Sequence, residues 1–468
     1  MSIPGLGQLA PQATASTNRT ISLTPFGEWR FDVPRSSTAG VKVRLVSGTA
    51  ERDGVELALS QTYTFVHTMK SKLFTWTGCT LEISGDCNDS VKQYPVVEDS
   101  PMVSYGNLHF ELQKLRTEAD TLAARSGRRP GPRVMVCGPP SSGKTSLART
   151  LTALATRMHG QPLVANLDPG EGLLSLPGTL SAAVFGNLMD VEEPAGGFGV
   201  GSTPSSGPSA VPVKLPIVYY LGREKVNDDV QLWRDLTRKL ASSIRAKFNE
   251  DEAVRCSGLI LDTPAVSLEP VEIENLALAV REFAINVVVT LGSPKLELEL
   301  QRVFAQETTP LGEVISILML EQSDGVQQRD KHFAQFTREA AIKEYFFGDA
   351  KRTLSPSTQS VSFDEVAIFK LPDDSEDYDP SQISDTPQIL EPAEITAEMS
   401  HWTLAVMNAS VNDPPETIRK APVMGFIAVA DVDEDRRRLK ILSPVTSRLG
   451  NRPLVWGRWP EPYINLLG

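Results

Sequence analysis

The stretch Arg133–Leu147, RVMVCGPPSSGKTSL, carries Gly138-x4-Gly143-Lys144-Thr145 directly after the apolar run Val134–Cys137 and at the head of an amphipathic segment. Spacing and context are those of a phosphate-binding loop. Glycines let consecutive backbone N–H groups wrap a phosphate, and the N-terminus of the following helix adds positive potential. Lys144 is expected to reach the β- and γ-phosphates, and Thr145 to offer its hydroxyl to Mg2+. Gly138, Ser141, Ser142, Gly143 and Ser146 complete the expected nucleotide cradle. Such a site also needs a carboxylate at the end of a neighbouring strand, and two are available. Asp168 closes Leu163–Leu167 and Asp262 closes Gly258–Leu261. Either could hold Mg2+ and its water or take a proton from an attacking hydroxyl, with a plain turn cap as the bland alternative; Asp168, with Thr145, is the expected Mg2+ pair.

The base is ATP's by elimination. Asp262-Thr-Pro-Ala265 is close to the DxxG element of GTPases but lacks its glycine, and neither Leu291-Gly-Ser-Pro294 nor Leu320-Glu-Gln-Ser-Asp324 supplies the Asn-Lys-x-Asp that reads guanine. Further on, Arg329, Lys331, Arg338 and Lys343 form a basic stretch. It is either a lid bringing positive charge to the transferred phosphoryl group or the solvated face of a helix.

The elements that must position these residues follow from hydrophobic periodicity. Strand candidates are Val134–Cys137, Leu163–Leu167, Ile217–Leu221, Gly258–Leu261, Asn286–Leu291 and Val314–Leu320, with a helix carrying Leu147, Leu151, Leu154 and Met158 after the first. Near-continuous apolar strands alternating with helices predict an α/β domain with a mostly parallel, covered sheet. Upstream, Val41–Val46, Tyr63–Val66, Leu73–Trp76 and Thr80–Ile83 alternate apolar and polar residues between Gly, Asp and Asn breaks, which predicts a β-sandwich. A helix is expected over Gly106–Ala124, ended by Ser126–Pro132. Strand patterning returns at Gly425–Ala430 and Arg438–Val445, with Asp431–Asp435 as a hairpin turn. The resulting division is a disordered 1–22, a sandwich over 23–105, a P-loop domain with its linking helix over 106–350 and a smaller α+β or β domain over 351–468. Pro194–Pro212 is expected to be a disordered surface insertion, and the acidic Leu371–Gln388 a flexible loop.

Composition narrows the class. A chain of 468 residues exceeds what one core usually supports, so several domains are expected. The net charge of −12 argues against coating nucleic acid electrostatically, leaving at most a local RNA contact. Cys79, Cys87, Cys137 and Cys256 show no CxxC pairing, so neither zinc nor a disulfide framework is expected, and the compartment is read as reducing. No secretory signal and no run near the roughly 20 apolar residues of a membrane span are present, so no membrane partner is expected.

Taken together, the motifs resemble the Clp/Grc-type polynucleotide 5′-hydroxyl kinases, in the branch that serves as a pre-mRNA cleavage and polyadenylation factor. The resemblance is carried by Gly131-Pro-Arg-Val-Met-Val with the phosphate loop, Asn166-Leu-Asp168, Leu176-Pro-Gly-Thr179, Ser257-Gly258 before Asp262–Ala265, and Ile342–Gly348. Gly425-Phe-Ile and Leu442-Ser-Pro444 match near the C-terminus; Glu28 within GEWRF, Gly54–Leu57, Tyr63-Thr-Phe65 and Phe74–Cys79 match near the N-terminus. It implies ATP held between the sandwich and the P-loop domain, with Glu28 and Lys70 approaching the base, positions that strand patterning alone would leave solvent-exposed.

Departures from the pattern fall on the catalytic side. Active kinases of the family carry Asp-x-Gly-Gln where this chain has Asp168-Pro-Gly-Glu171, a substrate-clasping tryptophan where it has Ala265, and two lid arginines where it has Arg329 and Ala334. Loss of an arginine that neutralises a phosphoryl transition state lowers rates by roughly 10³–10⁵. The resemblance thus implies a nuclear, ATP-binding and non-catalytic subunit that docks the cleavage-factor scaffold which binds the polymerase II tail, alongside other cleavage and polyadenylation subunits. The alternative is an active RNA 5′-hydroxyl kinase working through Lys144, Asp168 and Arg329.

Overall fold

Period-2 patterning upstream of residue 97 does build two antiparallel sheets. In a computed structural model the chain is described over residues 18–462, except 35–36, 38, 67–68, 126, 188, 193–197, 199–215, 349–352, 372–388 and 445–448, together with Leu466. It divides into two units, one up to Val97 and one from Glu98 onward. The first unit is a sandwich. One sheet orders Asn18–Leu23, Cys79–Ser84, Val41–Gly48 and Thr62–Phe65; the other orders Val55–Glu56, Glu51–Arg52, Lys70–Phe74, Glu28–Asp32 and Asn88–Lys92. Val41, Val43 and Leu45 point inward while Lys42, Arg44 and Val46 point out, and Trp29, Phe31, Phe65, Leu73 and Leu81 fill the space between. The first strand starts at Asn18, inside the segment expected to be disordered. Its polar side chains hide it from a hydrophobicity search, yet its backbone pairs with Cys79–Ser84 along its whole length. Residues 1–17 lie outside the described residues.

The second unit opens with the helix Pro101–Ala123, five residues earlier than expected. Ser100-Pro101 is a helix-start signal, with proline in the first turn, whereas Gly106 is simply a buried position within the helix. The main sheet runs Ile217–Tyr220, Thr179–Val184, Leu163–Asn166, Leu259–Asp262, Arg133–Cys137, Val287–Leu291, Ser316–Leu320. The last five are parallel to one another; the first two are antiparallel additions at one edge. Thr179–Val184 was not foreseen in the sequence, because TLSAAV is short and its small residues resemble a loop. All five residues of Arg133–Cys137 are buried, as the middle of a covered sheet requires.

A second seven-stranded sheet is formed by Ser357–Ser362, Arg438–Ser443, Val423–Asp433, Thr403–Met407, Pro453–Trp456, Ala367–Lys370 and Glu391–Pro392, in that order. The hairpin falls as expected, though its first strand continues to Asp433. The basic stretch resolves into two parts. Lys331–Phe347 is a helix capped by Asp330, which accepts from the Phe333 N–H at 2.7 Å. That helix is docked: Ile342, Tyr345 and Phe346 are buried, and the Phe426 N–H donates to the Tyr345 hydroxyl at 2.9 Å. Arg338 holds Glu461 in a bidentate pair and lies 4.4 Å from the Trp459 ring centroid. Arg329 precedes the helix. The expected insertion at 194–212 and loop at 371–388 fall, apart from the buried Phe198 and Leu371, outside the described residues. Among the described residues no helix is long and apolar enough to cross a membrane.

Trp233 links packing to the site, since it is 2% exposed and its indole N–H donates to the Leu167 carbonyl at 3.0 Å, one residue before Asp168. Trp233→Ala is expected to lower unfolding free energy by about 3–5 kcal/mol through cavity formation, read as a fall in the guanidinium midpoint.

Candidate functional site

The loop's conformation follows from its glycines. Gly143 caps the helix Lys144–Arg157 with φ +93°, a left-handed value that a side chain would strain, and Ser141 adopts φ +51°. A Cβ on Gly138 would stand 3.0 Å from the Leu291 carbonyl oxygen of the neighbouring strand. With backbone pressed this close, the loop turns back over the helix N-terminus. Lys144 Nζ folds into the turn, donating to the carbonyls of Gly138 (3.3 Å) and Pro139 (3.1 Å), and the side chain is largely buried. The Ser142 hydroxyl is buried with no partner. Ser146 is exposed on the first turn, where its backbone N–H belongs to the unsatisfied donors of a helix start.

Of the two carboxylates, Asp262 meets the loop's hydroxyl: Thr145 Oγ1 donates to Asp262 Oδ2 at 2.7 Å. Its second oxygen, Oδ1, is buried without a hydrogen bond. Asp168 is engaged differently. Its Oδ1 accepts from the Gly170 N–H at 2.9 Å, and the Asn166 side chain braces its backbone from both sides. Burial pushes the Asp262 carboxyl up to about 6, opposed by the Thr145 hydrogen bond and by Lys144. Burial and the Glu171 carboxylate likewise raise Asp168.

These residues fit a divalent cation. An orphaned carboxylate oxygen beside a threonine hydroxyl, with a second raised carboxylate nearby, is a donor set for Mg2+, and a cation there would reverse both shifts. Among the described residues no cluster of three or more His, Cys, Asp or Glu forms a protein-only metal cage. Mg2+ would therefore rest on Thr145, one or both carboxylates, water and the nucleotide's own phosphates, as is usual for this ion.

Three residues that sequence reasoning missed lie across the loop's open side or tie it down. Gln322 Nε2 donates to the Ser141 carbonyl at 3.1 Å, and a Cβ on Gly143 would meet Val326 Cγ2 at 3.4 Å. Glu171, noted only as a departure, pairs with Arg329: Nη1 donates to Oε1 at 3.0 Å. No sequence signal connects positions 158 apart, so only the fold could reveal that pair. Ala265 lies in the irregular run after Asp262, and Ala334 in the first turn of the docked helix.

In the sandwich, Glu28 is fully buried, contrary to the exposure that strand patterning gives it. It accepts from Arg30 Nε at 2.9 Å, Lys72 Nζ at 3.2 Å and the Tyr94 hydroxyl at 3.2 Å. Lys70 remains exposed, 3.6 Å from Asp32. Cys79, Cys137 and Cys256 are buried free thiols, and burial raises Cys137 to about 12, so it is inert.

A parallel sheet whose central strand feeds a glycine-rich turn, with lysine and threonine at the helix start and a carboxylate at the next strand's end, defines a P-loop protein. Comparison with known proteins narrows this. Family descriptions match end to end: "N-terminal beta-sandwich domain of polyadenylation factor" over residues 22–119, "mRNA cleavage and polyadenylation factor CLP1 P-loop" over 138–348, and "Pre-mRNA cleavage complex II protein Clp1" over 354–461. Proteins called mRNA cleavage and polyadenylation factor CLP1 are 60% identical in Chaetomium globosum and 56% identical in Neurospora crassa, each aligned over 100% of both chains. A solved wild-type Clp1p–Pcf11p complex contains a chain with TM-score 0.81 and 26% identity, covering 95% of this chain and 98% of that one. Another, with the same score and identity, is described as an extended Pcf11p–Clp1p interface and the basis of ATP loss in a point mutant. The chain belongs to the CLP1 family of mRNA cleavage and polyadenylation factors.

Thr145→Val removes the hydroxyl that partners Asp262 and leaves a buried carboxylate without it. Nucleotide-free protein is expected to lose about 1–3 kcal/mol of stability, measured by urea denaturation in EDTA.

Proposed function

We propose that this chain is an ATP-binding, non-catalytic subunit of the nuclear machinery that cleaves pre-mRNA before polyadenylation. The observation that carries this reading is an asymmetry in the site. The groups that hold a nucleotide are assembled: the left-handed Gly143, the inward Lys144, and Thr145 beside Asp262 with its orphaned oxygen. Those that would act on a transferred phosphoryl group are depleted or engaged elsewhere. Ala334 and Ala265 carry no charge or stacking surface, and Arg329 is paired with Glu171.

In this reading, Lys144 neutralises the terminal phosphates, Thr145 and Asp262 or Asp168 hold Mg2+, and backbone N–H groups of Ser141–Ser146 wrap the phosphates. Binding confined to the native state stabilises it by RT ln(1 + [L]/Kd), about 2.7 kcal/mol at a hundredfold excess over Kd. ATP is therefore a structural ligand of the fold. The partner is a Pcf11-type scaffold subunit, supported by the solved complexes of Clp1p with Pcf11p, and that scaffold is the subunit expected to bind the polymerase II tail.

The purified chain is expected to release about one ATP per molecule on denaturation and to lose it, with a lowered melting temperature, as Lys144→Ala. Incubated with γ-labelled ATP and a 5′-hydroxyl RNA oligonucleotide, it should leave the RNA unlabelled. Labelling that vanishes in Lys144→Ala would establish the RNA kinase instead.

A further inference from the structure

The segment from Gln322 to Arg329 is seated on the phosphate loop. Gln322 reaches the Ser141 carbonyl, Val326 packs where a Gly143 side chain would point, and Arg329 ends at Glu171. Beyond it the chain enters a helix fixed by Asp330 at its cap, Arg338 on Glu461 and Trp459, and Tyr345 at Phe426. The segment is thus held at both ends, and it delivers a guanidinium to the edge of the site. Glu171 lies close enough to Asp168 and Asp262 that its carboxylate acts on both electrostatically. Arg329 is therefore held at Glu171, three residues beyond Asp168, on an acceptor supplied by the protein itself.

We propose that Glu171 is a built-in competitor for Arg329, occupying the guanidinium that would otherwise pair with the terminal phosphate of ATP and so flattening the preference for ATP over ADP. This deepens the nucleotide-binding reading and rests on it. The pair is half exposed, 48% on each side chain, so it is only a few times more populated than its open form. An affinity that needs the open form is reduced by the open fraction, which sets the effect at about two- to fivefold. Arginine and carboxylate oxygen match here as arginine and phosphate oxygen do, which makes the exchange of acceptors a substitution of like for like.

The test is a double-mutant cycle on the full chain, stripped of nucleotide, with Mg-ATP and Mg-ADP titrated calorimetrically into wild type, Glu171→Gln, Arg329→Gln and the double variant. Competition predicts that Glu171→Gln raises the ADP-to-ATP ratio of Kd values about two- to fivefold when Arg329 is present, and less in the Arg329→Gln background. If Arg329 only screens the Glu171 charge, the coupling has the opposite sign, because removing an unscreened carboxylate gains more. Equal gains in the two backgrounds, or that opposite sign, overturn the proposal. Wild-type protein that binds neither nucleotide removes the underlying reading as well, an outcome separate from the sign of the coupling. Both side chains are half exposed, so unchanged melting of the nucleotide-free variants is expected and checks the fold.

Discussion

The contact between Thr145 and Asp262 depends on two parallel strands staying in register, and two glycines pin that register at the opposite end of the sheet. A Cβ on Gly131 would fall 1.9 Å from the Cys256 carbonyl oxygen, and one on Gly258 1.9 Å from that of Pro132. The backbones interlock there: Gly131 N–H donates to the Arg255 carbonyl and Leu259 N–H to that of Pro132, both at 2.9 Å. From that point Val136 lies opposite Asp262, and on the other side Asn166 does. A slip of one residue would turn each strand over, because side chains alternate faces. On the far flank, Arg133 anchors the same strand: its buried guanidinium donates to the carbonyls of Ala284 and Gly131 at 2.7 Å and pairs with Glu313. The chemistry at one end of the sheet is set by packing at the other.

The glycine framework of the loop was legible because the backbone is left-handed at Gly143, a conformation that glycine satisfies cheaply. The apolar strands of the main sheet were legible because burial on both faces writes a continuous run. Two strands left weaker marks. Asn18–Leu23 is an edge strand whose polar, largely solvent-facing side chains show little of its backbone pairing, and Thr179–Val184, though buried and paired on both sides, is too short and too rich in small residues to stand out. The sequence favours Asp168 as the carboxylate beside Thr145 at Mg2+, although both aspartates end strands next to the loop. It is strand order that sets Leu259–Asp262 directly against Arg133–Cys137, and Leu163–Asn166 one strand further out. Strand patterning alone would expose Glu28 for a related reason. A glutamate in an alternating strand reads as solvent-facing, but Arg30, Lys72 and Tyr94 gather around it and supply the charge and hydrogen bonds that permit burial.

Charge balance at the site is the counterpart of this geometry. Asp168, Glu171 and Asp262 act on one another, and Lys144 counters them from within the loop. Burial then favours protonation of the two aspartates, the behaviour of a site arranged around a cation. Arg329 on Glu171 balances the most exposed of the three carboxylates without entering the loop. On the proposed reading, the nucleotide's phosphates and Mg2+ would be the charges that complete the arrangement.

Phosphoryl transfer asks more of a P-loop protein than binding: a lid must close, expel water and bring positive charge onto the transferred group. In this chain the helix that follows Arg329 is part of the core. Ile342, Tyr345 and Phe346 pack with Tyr220 and Phe426, and Arg338 clamps Glu461 and the Trp459 ring. Ala334 sits on the first turn of that fixed helix, so regaining an arginine at this position would place the charge on an element that cannot move independently. Closure is left to the short segment between Leu320 and Asp330, which already rests on the loop. A site built this way would suit retention of a nucleotide: Arg338 and Tyr345 fix the helix, while Gln322 and Val326 lie against the phosphate loop.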